Sequence, residues 1–331
     1  MITKTTQKPA LLARAFRGEF VESEHYGHAV VVDGAGKIIF SIGEPETRVF
    51  LRSTAKPVQA TPLIEHKIAD HFGFTNREFA LICASHNGED FHVAAAQSML
   101  DKIGVPANAL QCGTHRPMGV DYDCVPETGE RSPLQSDCSG KHVGMLAACR
   151  FHNWPIENYL SPAHPHQQEI LEWVSRTSHF SKLKIGVAID GCTAPVFNMP
   201  LKNAAQMYAN LAKTSSQAHH SFQCMLQHPE MVAGTNRFDT AFMRTMDGSA
   251  VTKIGAEGMQ CVALKTPEPI GLAVKIGDGG NRAAPAVACE ILRKLDLITE
   301  DKLHSLNKFH APERSNHNKI KIGRIEIANL F

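Results

Sequence analysis

The feature that most constrains this chain is the placement of its β-forming residues, which lie near both ends with helix-forming sequence between them. Near the start, His28-Ala29-Val30-Val31-Val32 and Lys37-Ile38-Ile39-Phe40-Ser41-Ile42 flank Asp33-Gly34-Ala35-Gly36, which predicts a hairpin. Near the end, 259–264, 271–276 and the alternating runs 319–322 and 324–327 again read as strands. Apolar spacing predicts helices over 53–67, 90–103, 141–150, 165–176, 203–213 and 219–228, with a last one over 282–295. Lys184 to Ile189 reads as a short buried strand opening into a loop, and the Gly-, Pro- and Cys-rich stretch 111–139 as loop. A strand cannot satisfy its own backbone, so the terminal strands must meet in one sheet. The expectation is an α+β fold, with an antiparallel sheet from both termini and helices around it. No repeat or linker interrupts the chain, which predicts a single catalytic domain, 1–331. Its sheet would come from about 15–50 and 250–331 and its helical middle from about 53–245.

Charge and composition narrow the class. Thirty-four Lys+Arg against 33 Asp+Glu give a net charge of +1, so no basic surface selects nucleic acid or an anionic membrane. No apolar run approaches the ~20 residues of a transmembrane helix. The first nine residues lack the apolar core of a signal peptide. Nine cysteines without paired spacing fit a reduced, cytoplasmic protein better than a disulfide framework.

Familiar phosphate and zinc-helix motifs are absent; Gly277-Asp278-Gly279-Gly280 does not complete a dinucleotide fingerprint. What remains is a serine–lysine reading. Ser53-Thr54-Ala55-Lys56 has the S-x-x-K spacing, which on a helix brings an amine to the same face as a hydroxyl. A serine attacks only when a base takes its proton, and a lysine serves only if burial or a nearby cation lowers its pKa. Alone the spacing selects nothing, since it recurs at Ser181/Lys184 and Ser305/Lys308. Two companions found in penicillin-recognising enzymes are an S-x-N and a K-x-G element. Ser85-His86-Asn87 supplies the first, and Lys-Ile-Gly occurs five times, at Lys102, Lys184, Lys253, Lys275 and Lys321.

Sulfur and arginine offer further candidates. Cys138 stands where a helix should start and Cys192 where a strand ends. They could share a metal or simply be two small buried hydrophobes. Cys83, Cys149, Cys261 and Cys289 read as core, and the adjacent His219-His220 as surface. Arg116 and Arg237 lie in turn-like segments, where each could grip a substrate carboxylate or brace its own loop.

Read together, Leu51-Arg52-Ser53-Thr54-Ala55-Lys56-Pro57, Ser85-His86-Asn87-Gly88-Glu89, Cys112-Gly113-Thr114-His115, Cys138-Ser139-Gly140-Lys141-His142, Asp190-Gly191-Cys192-Thr193-Ala194-Pro195 and Lys253-Ile254-Gly255-Ala256-Glu257-Gly258 resemble the L-asparaginase family first described in rhizobia, the asparaginase II family. The resemblance implies a fold like that of serine β-lactamases and glutaminases, and hydrolysis of L-asparagine to aspartate and ammonia. It implies two Ser–Lys pairs, landing on Ser53/Lys56 and Ser85/Lys253. Substrate contacts fall on Arg52, His86, Asn87, His142, Asp190 and Gly255. A zinc ion would be held by Cys138, Lys141 and Cys192, positioning substrate rather than performing the chemical step. The family also suggests a homodimer. Thr54-Ala55 departs from it, since bulkier residues are common there. Alternatives are a glutaminase or other serine–lysine amidase of the same fold, or a zinc-binding protein without activity.

Overall fold

The computed structural model of the chain describes residues 2–5, 8–127, 129 and 131–330. In chain order its strands are β1 Ile2–Thr5, β2 Ala10–Arg17, β3 Phe20–Asp33, β4 Ile38–Gly43, β5 Arg48–Phe50, β6 Gly186–Ile189, β7 Pro195–Pro200, β8 Ala250–Gly255, β9 Met259–Leu264, β10 Ile270–Ile276, β11 Glu313–Ser315 and β12 Lys321–Ile327. Strands from the two ends do meet: nine of them form one sheet running β11-β12-β2-β3-β10-β9-β8. β4 pairs with the distal half of β3, and β1 with β4. Every pairing is antiparallel except β1 with β4. The hairpin turns as expected. The Asp33 carboxylate accepts from the backbone amides of Ala35 and Lys37, and Gly36 takes the left-handed conformation that closes the turn.

The centre of this sheet is covered on both faces, which is why its strands read as continuous apolar runs. Along β3, Val30 and Val32 join one hydrophobic core while Ala29 and Val31 join a second. β9 and β10 alternate in the same way. The helical middle covers the first face, with Leu201–Ala212 lying across β10. The helices Phe238–Met246, Ala284–Lys294 and Glu300–Ser305 cover the second. Gly271 on β10 permits the close approach of the first layer, since a Cβ there would stand 1.9 Å from the Ala205 carbonyl oxygen.

Several expectations need correction. The helix over 53–67 is broken into a 3₁₀ turn, Arg52–Ala55, and two short helices, Lys56–Gln59 and Thr61–Glu65. Pro57 and Pro62 each open one of these pieces, because proline fits only a first turn. The strand at Lys184–Ile189 forms as Gly186–Ile189 but is not buried. It is the outer strand of a three-stranded sheet, β5-β7-β6, with Ile189 75% exposed. The two terminal runs are one strand, Lys321–Ile327. Helices at Asn76–Ile82 and Phe238–Met246 are too short to show a clear period in the sequence; a Thr75/Glu78 capping box opens the first.

Candidate active site

Four segments converge on one cavity of about 350 Å³, at the lower end of the ~300–1,000 Å³ typical of small-ligand sites. The first is the 3₁₀ turn after β5. It begins at Arg52, which is held at φ +49°, a left-handed conformation that costs a non-glycine residue energy and clusters at functional sites. Ser53 follows, partly exposed on the cavity wall, with no side-chain hydrogen bond to another described residue. Lys56 points inward from the adjoining helix and is 1% exposed.

The second segment, Ser85-His86-Asn87, is drawn out like a strand. The Ser85 amide donates to the Val232 carbonyl, His86 to that of Asp137 and Asn87 to that of Ala233. This brings Ser85 to the cavity and to Lys56, whose Nζ donates to Ser85 Oγ at 3.0 Å and to the Ala84 carbonyl at 2.5 Å. The lysine of the S-x-x-K element is thus bonded to the distant Ser85 and not to Ser53, because the 3₁₀ turn replaces the regular helix assumed from spacing. Asp137 supports the same amine, with its carbonyl oxygen at 3.3 Å and its carboxylate at 3.6 Å, and His115 lies against that carboxylate at 3.3 Å.

The third segment is β8. Its alternation puts Val251, Lys253 and Gly255 on the face where the Ser53 turn packs. Gly255 lines the cavity, and its missing side chain lets the Leu51 carbonyl oxygen and Thr54 Cγ2 approach to 3.1 Å of where a Cβ would stand. Lys253 is fully buried. Its Nζ donates to the Ile254 carbonyl at 2.9 Å and stands 3.9 Å from the Asp239 carboxylate.

The two lysines are driven in opposite directions. Burial pushes the Lys253 amine down to about 7, assisted by the positive charges of Lys56 and Arg237 and only partly opposed by Asp239. Burial also acts on Lys56, but Cys138 and Asp137 outweigh it and raise that amine above the ordinary lysine value. The Asp137 carboxyl would be raised by burial; the Lys56 ammonium and the His115 contact reverse this and hold it well below the usual range. One cation and one amine poised near neutrality therefore stand on the same site.

The fourth segment is the loop after β6. Asp190 accepts from Arg52 Nε at 2.7 Å and from the Gly191 amide, and both side chains line the cavity. Cys192, two residues on, lies beside Cys138 and accepts from Lys141 Nζ at 3.0 Å. Two thiols and an amine thus face one another at the cavity floor, and the buried Nε2 of His142 beside them has no hydrogen-bond partner. The donor set suits a soft or borderline ion, and the orphaned imidazole nitrogen leaves it a further donor.

Of the six substrate contacts expected, Arg52, Asp190 and Gly255 reach the cavity wall. His86, Asn87 and His142 are fully buried behind it. His86 pairs with Ser139 Oγ and the Gly88 amide, and His142 Nδ1 with the Tyr159 hydroxyl. Asn87 is spent on Glu89, Cys124, Thr235 and Arg237. Arg116 pairs with Asp121 and Glu127 at the surface and braces its own loop. Arg237 donates to Asn87 Oδ1 at 2.9 Å and lies against the Tyr122 ring, but it also lines the cavity, and its buried Nη2 has no hydrogen-bond partner and is a donor free for a substrate carboxylate. Neither Asp137 nor Asp239 stands out in the sequence, and His115 appears there only as the last residue of the Cys112–His115 stretch. Asp137 precedes Cys138 directly, which was the available signal, whereas Asp239 becomes relevant only once β8 is placed beside it.

Sequence comparison identifies the family, and with it a hydrolase of the amidase class. Residues 13–327 match the L-asparaginase II family, so the chain belongs to it. No curated protein matches the chain. Among solved structures, a candidate β-lactamase from Bacteroides dorei DSM 17855 is 10% identical at a TM-score of 0.41, over 81% of this chain and 93% of that one. A β-lactamase from Mycobacterium bovis is 11% identical at a TM-score of 0.35, over 81% and 94%. Among the described residues no helix is long and apolar enough to cross a membrane.

Proposed function

We propose that the protein hydrolyses the side-chain carboxamide of L-asparagine to L-aspartate and ammonia through an acyl-enzyme. The observation that carries this reading is the convergence on one small cavity of two serines beside an Arg52–Asp190 pair, with a cationic Lys56 bonded to Ser85 from behind and the near-neutral Lys253 buried on the adjoining strand. Arg52 offers a fork to the α-carboxylate and Asp190 an acceptor to the α-ammonium, which suits an amino acid better than a larger amide.

Ser53 is the nucleophile, because its hydroxyl faces the cavity unengaged while that of Ser85 is held by Lys56. As Ser53 Oγ bonds to the carboxamide carbon, its proton passes to the one near-neutral base of the site, the Lys253 amine on the strand against which the Ser53 turn packs. Lys56, already a cation, keeps its protons and holds Ser85 in place through its Nζ–Oγ bond. Cleavage of the C–N bond returns that proton to the departing nitrogen, which leaves as ammonia. Water then attacks the Ser53 ester along the same path in reverse. Cys138, Lys141 and Cys192 would hold zinc, which supplies a fixed positive charge for positioning substrate. A homodimer in the cytoplasm completes the reading, supported by the resemblance and by nine cysteines without a disulfide.

Ammonia release from L-asparagine, measured beside Ser53→Ala and Ser85→Ala, tests it. Turnover by the unmodified protein and a loss on the order of 10³-fold or more in both variants is expected. Turnover of glutamine but not asparagine would reassign the substrate, and activity surviving in both variants would refute the two-serine site.

A further inference from the structure

A cluster of titratable side chains lies apart from the cavity, where three helical segments meet. His66 follows the short helix Thr61–Glu65, His152 ends the helix Ser139–His152, and His166 and Glu169 share a face of the helix Pro165–Ser178. None of the four lines the active-site cavity. His142 and His152 are ten residues apart on one helix, which separates this cluster from the cysteines by about 15 Å at 1.5 Å per residue.

One donor atom from each of His66, His152 and Glu169 can be chosen so that all three lie within 4.8 Å of one another. His66 Nε2 stands 3.3 Å from one Glu169 oxygen, and His166 Nδ1 stands 3.7 Å from the other. Two donors each about 2.1 Å from a tetrahedral zinc ion stand roughly 3.4 Å apart, so the His66–Glu169 spacing is that of ligands on a shared ion, and the wider limit of the three-residue cluster asks its donors to draw in on binding. Aromatic packing also occurs here, with the His66 and His152 rings edge-on at 5.0 Å and His152 stacked on Trp154. Packing alone, however, leaves His152 Nε2 and His166 Nε2 buried without hydrogen-bond partners, while His166 Nδ1 and Glu169 Oε2 have only their long contact with each other. Folded proteins rarely leave such atoms together.

We propose that His66, His152 and Glu169 form a second metal site, taking a divalent transition-metal ion of the zinc class, with His166 holding the carboxylate or completing the coordination. Imidazole and carboxylate donors suit such ions, and three protein ligands leave room for water. His66 and Glu169 are partly exposed, which gives the ion a route in. The ion would pin the segment that runs from Lys56 through His66 to the two long helices, a structural role that does not depend on the proposed reaction.

The test uses the full-length protein stripped with chelator and titrated with Zn²⁺ and Co²⁺. The unmodified chain should bind one more equivalent than His152→Gln or Glu169→Gln, and saturating Zn²⁺ should raise its Tm by a few degrees in a way these variants lose. A Cys138→Ser, Cys192→Ser double variant should still bind Co²⁺, with visible bands and no thiolate charge-transfer absorption. Circular dichroism checks folding, and His66→Gln decides if those two variants fail to fold. Unchanged stoichiometry in the folded variants, or no Co²⁺ bound once the cysteines are removed, overturns the proposal.

Discussion

Replacing Lys253 with methionine separates what this residue costs the fold from what it does. Its side chain is fully buried and its pKa falls from 10.5 to about 7, so the unfolded chain holds a proton at neutral pH that the native state only half retains. Stability then rises with pH between about 7 and 10.5, where the unfolded state binds more protons. Below about 7 both states are protonated and the dependence vanishes. At 1.36 kcal/mol per pH unit the penalty at pH 7 is about 4 kcal/mol, shrinking to near zero by pH 10.5. Methionine has similar length and no charge, but it forfeits the bond to the Ile254 carbonyl and leaves Asp239 without its nearest cation. A net gain of about 2–3 kcal/mol at pH 7 remains after about 1–2 kcal/mol for those losses. Denaturant unfolding of both proteins at pH 6, 7, 8 and 9.5, with ammonia release at each pH, checks it. The variant should be inactive, more stable at pH 7, and lose that advantage by pH 9.5. In the unmodified protein kcat/KM should fall as pH drops through about 7. Equal stability at pH 7 would show that Lys253 is not depressed, and the proton path would lose its acceptor.

Three further outcomes can be checked directly. Arg52→Ala should raise KM for asparagine by about 10–100-fold with little loss of kcat, since in the proposed reaction the Arg52–Asp190 pair would hold the non-reacting end of the substrate; an equal loss in kcat would place Arg52 in the chemistry. Chelation of zinc, or Cys192→Ser, should likewise raise KM more than it lowers kcat in steady-state assays. A fall in kcat as deep as that of Ser53→Ala would point to a direct role for the metal. Gly271→Ala should destabilise the fold by about 3 kcal/mol or more in urea, because its methyl group would meet backbone and not a movable side chain.

Local chemistry made much of this structure legible in advance. The turn at Asp33–Gly36 and the helix Asp90–Ile103 fall where composition and period put them, because each is built from neighbours in sequence. The helix that carries Cys138, Lys141 and His142 at its start was also readable, as were the buried cysteines. The exposure of β6 was not, since an apolar run cannot say which side of it will be covered. Nor was the break after Ser53, where Pro57 signals a start but the 3₁₀ geometry follows from packing against β8.

The site divides along the same line. The identities of Ser53, Lys56, Ser85 and Lys253 and the presence of an Arg52 and an Asp190 are properties of the chain, visible as short motifs. Which lysine meets which serine is a property of the fold. Lys56 reaches Ser85 across 29 residues of separation because Ser85 is tied to Val232 and its neighbour His86 to Asp137, contacts no spacing rule contains. The two lysines also owe their difference to place. The same amine becomes a cation among Asp137 and Cys138 and a near-neutral base on β8, because desolvation and neighbouring charge exist only once distant segments have come together.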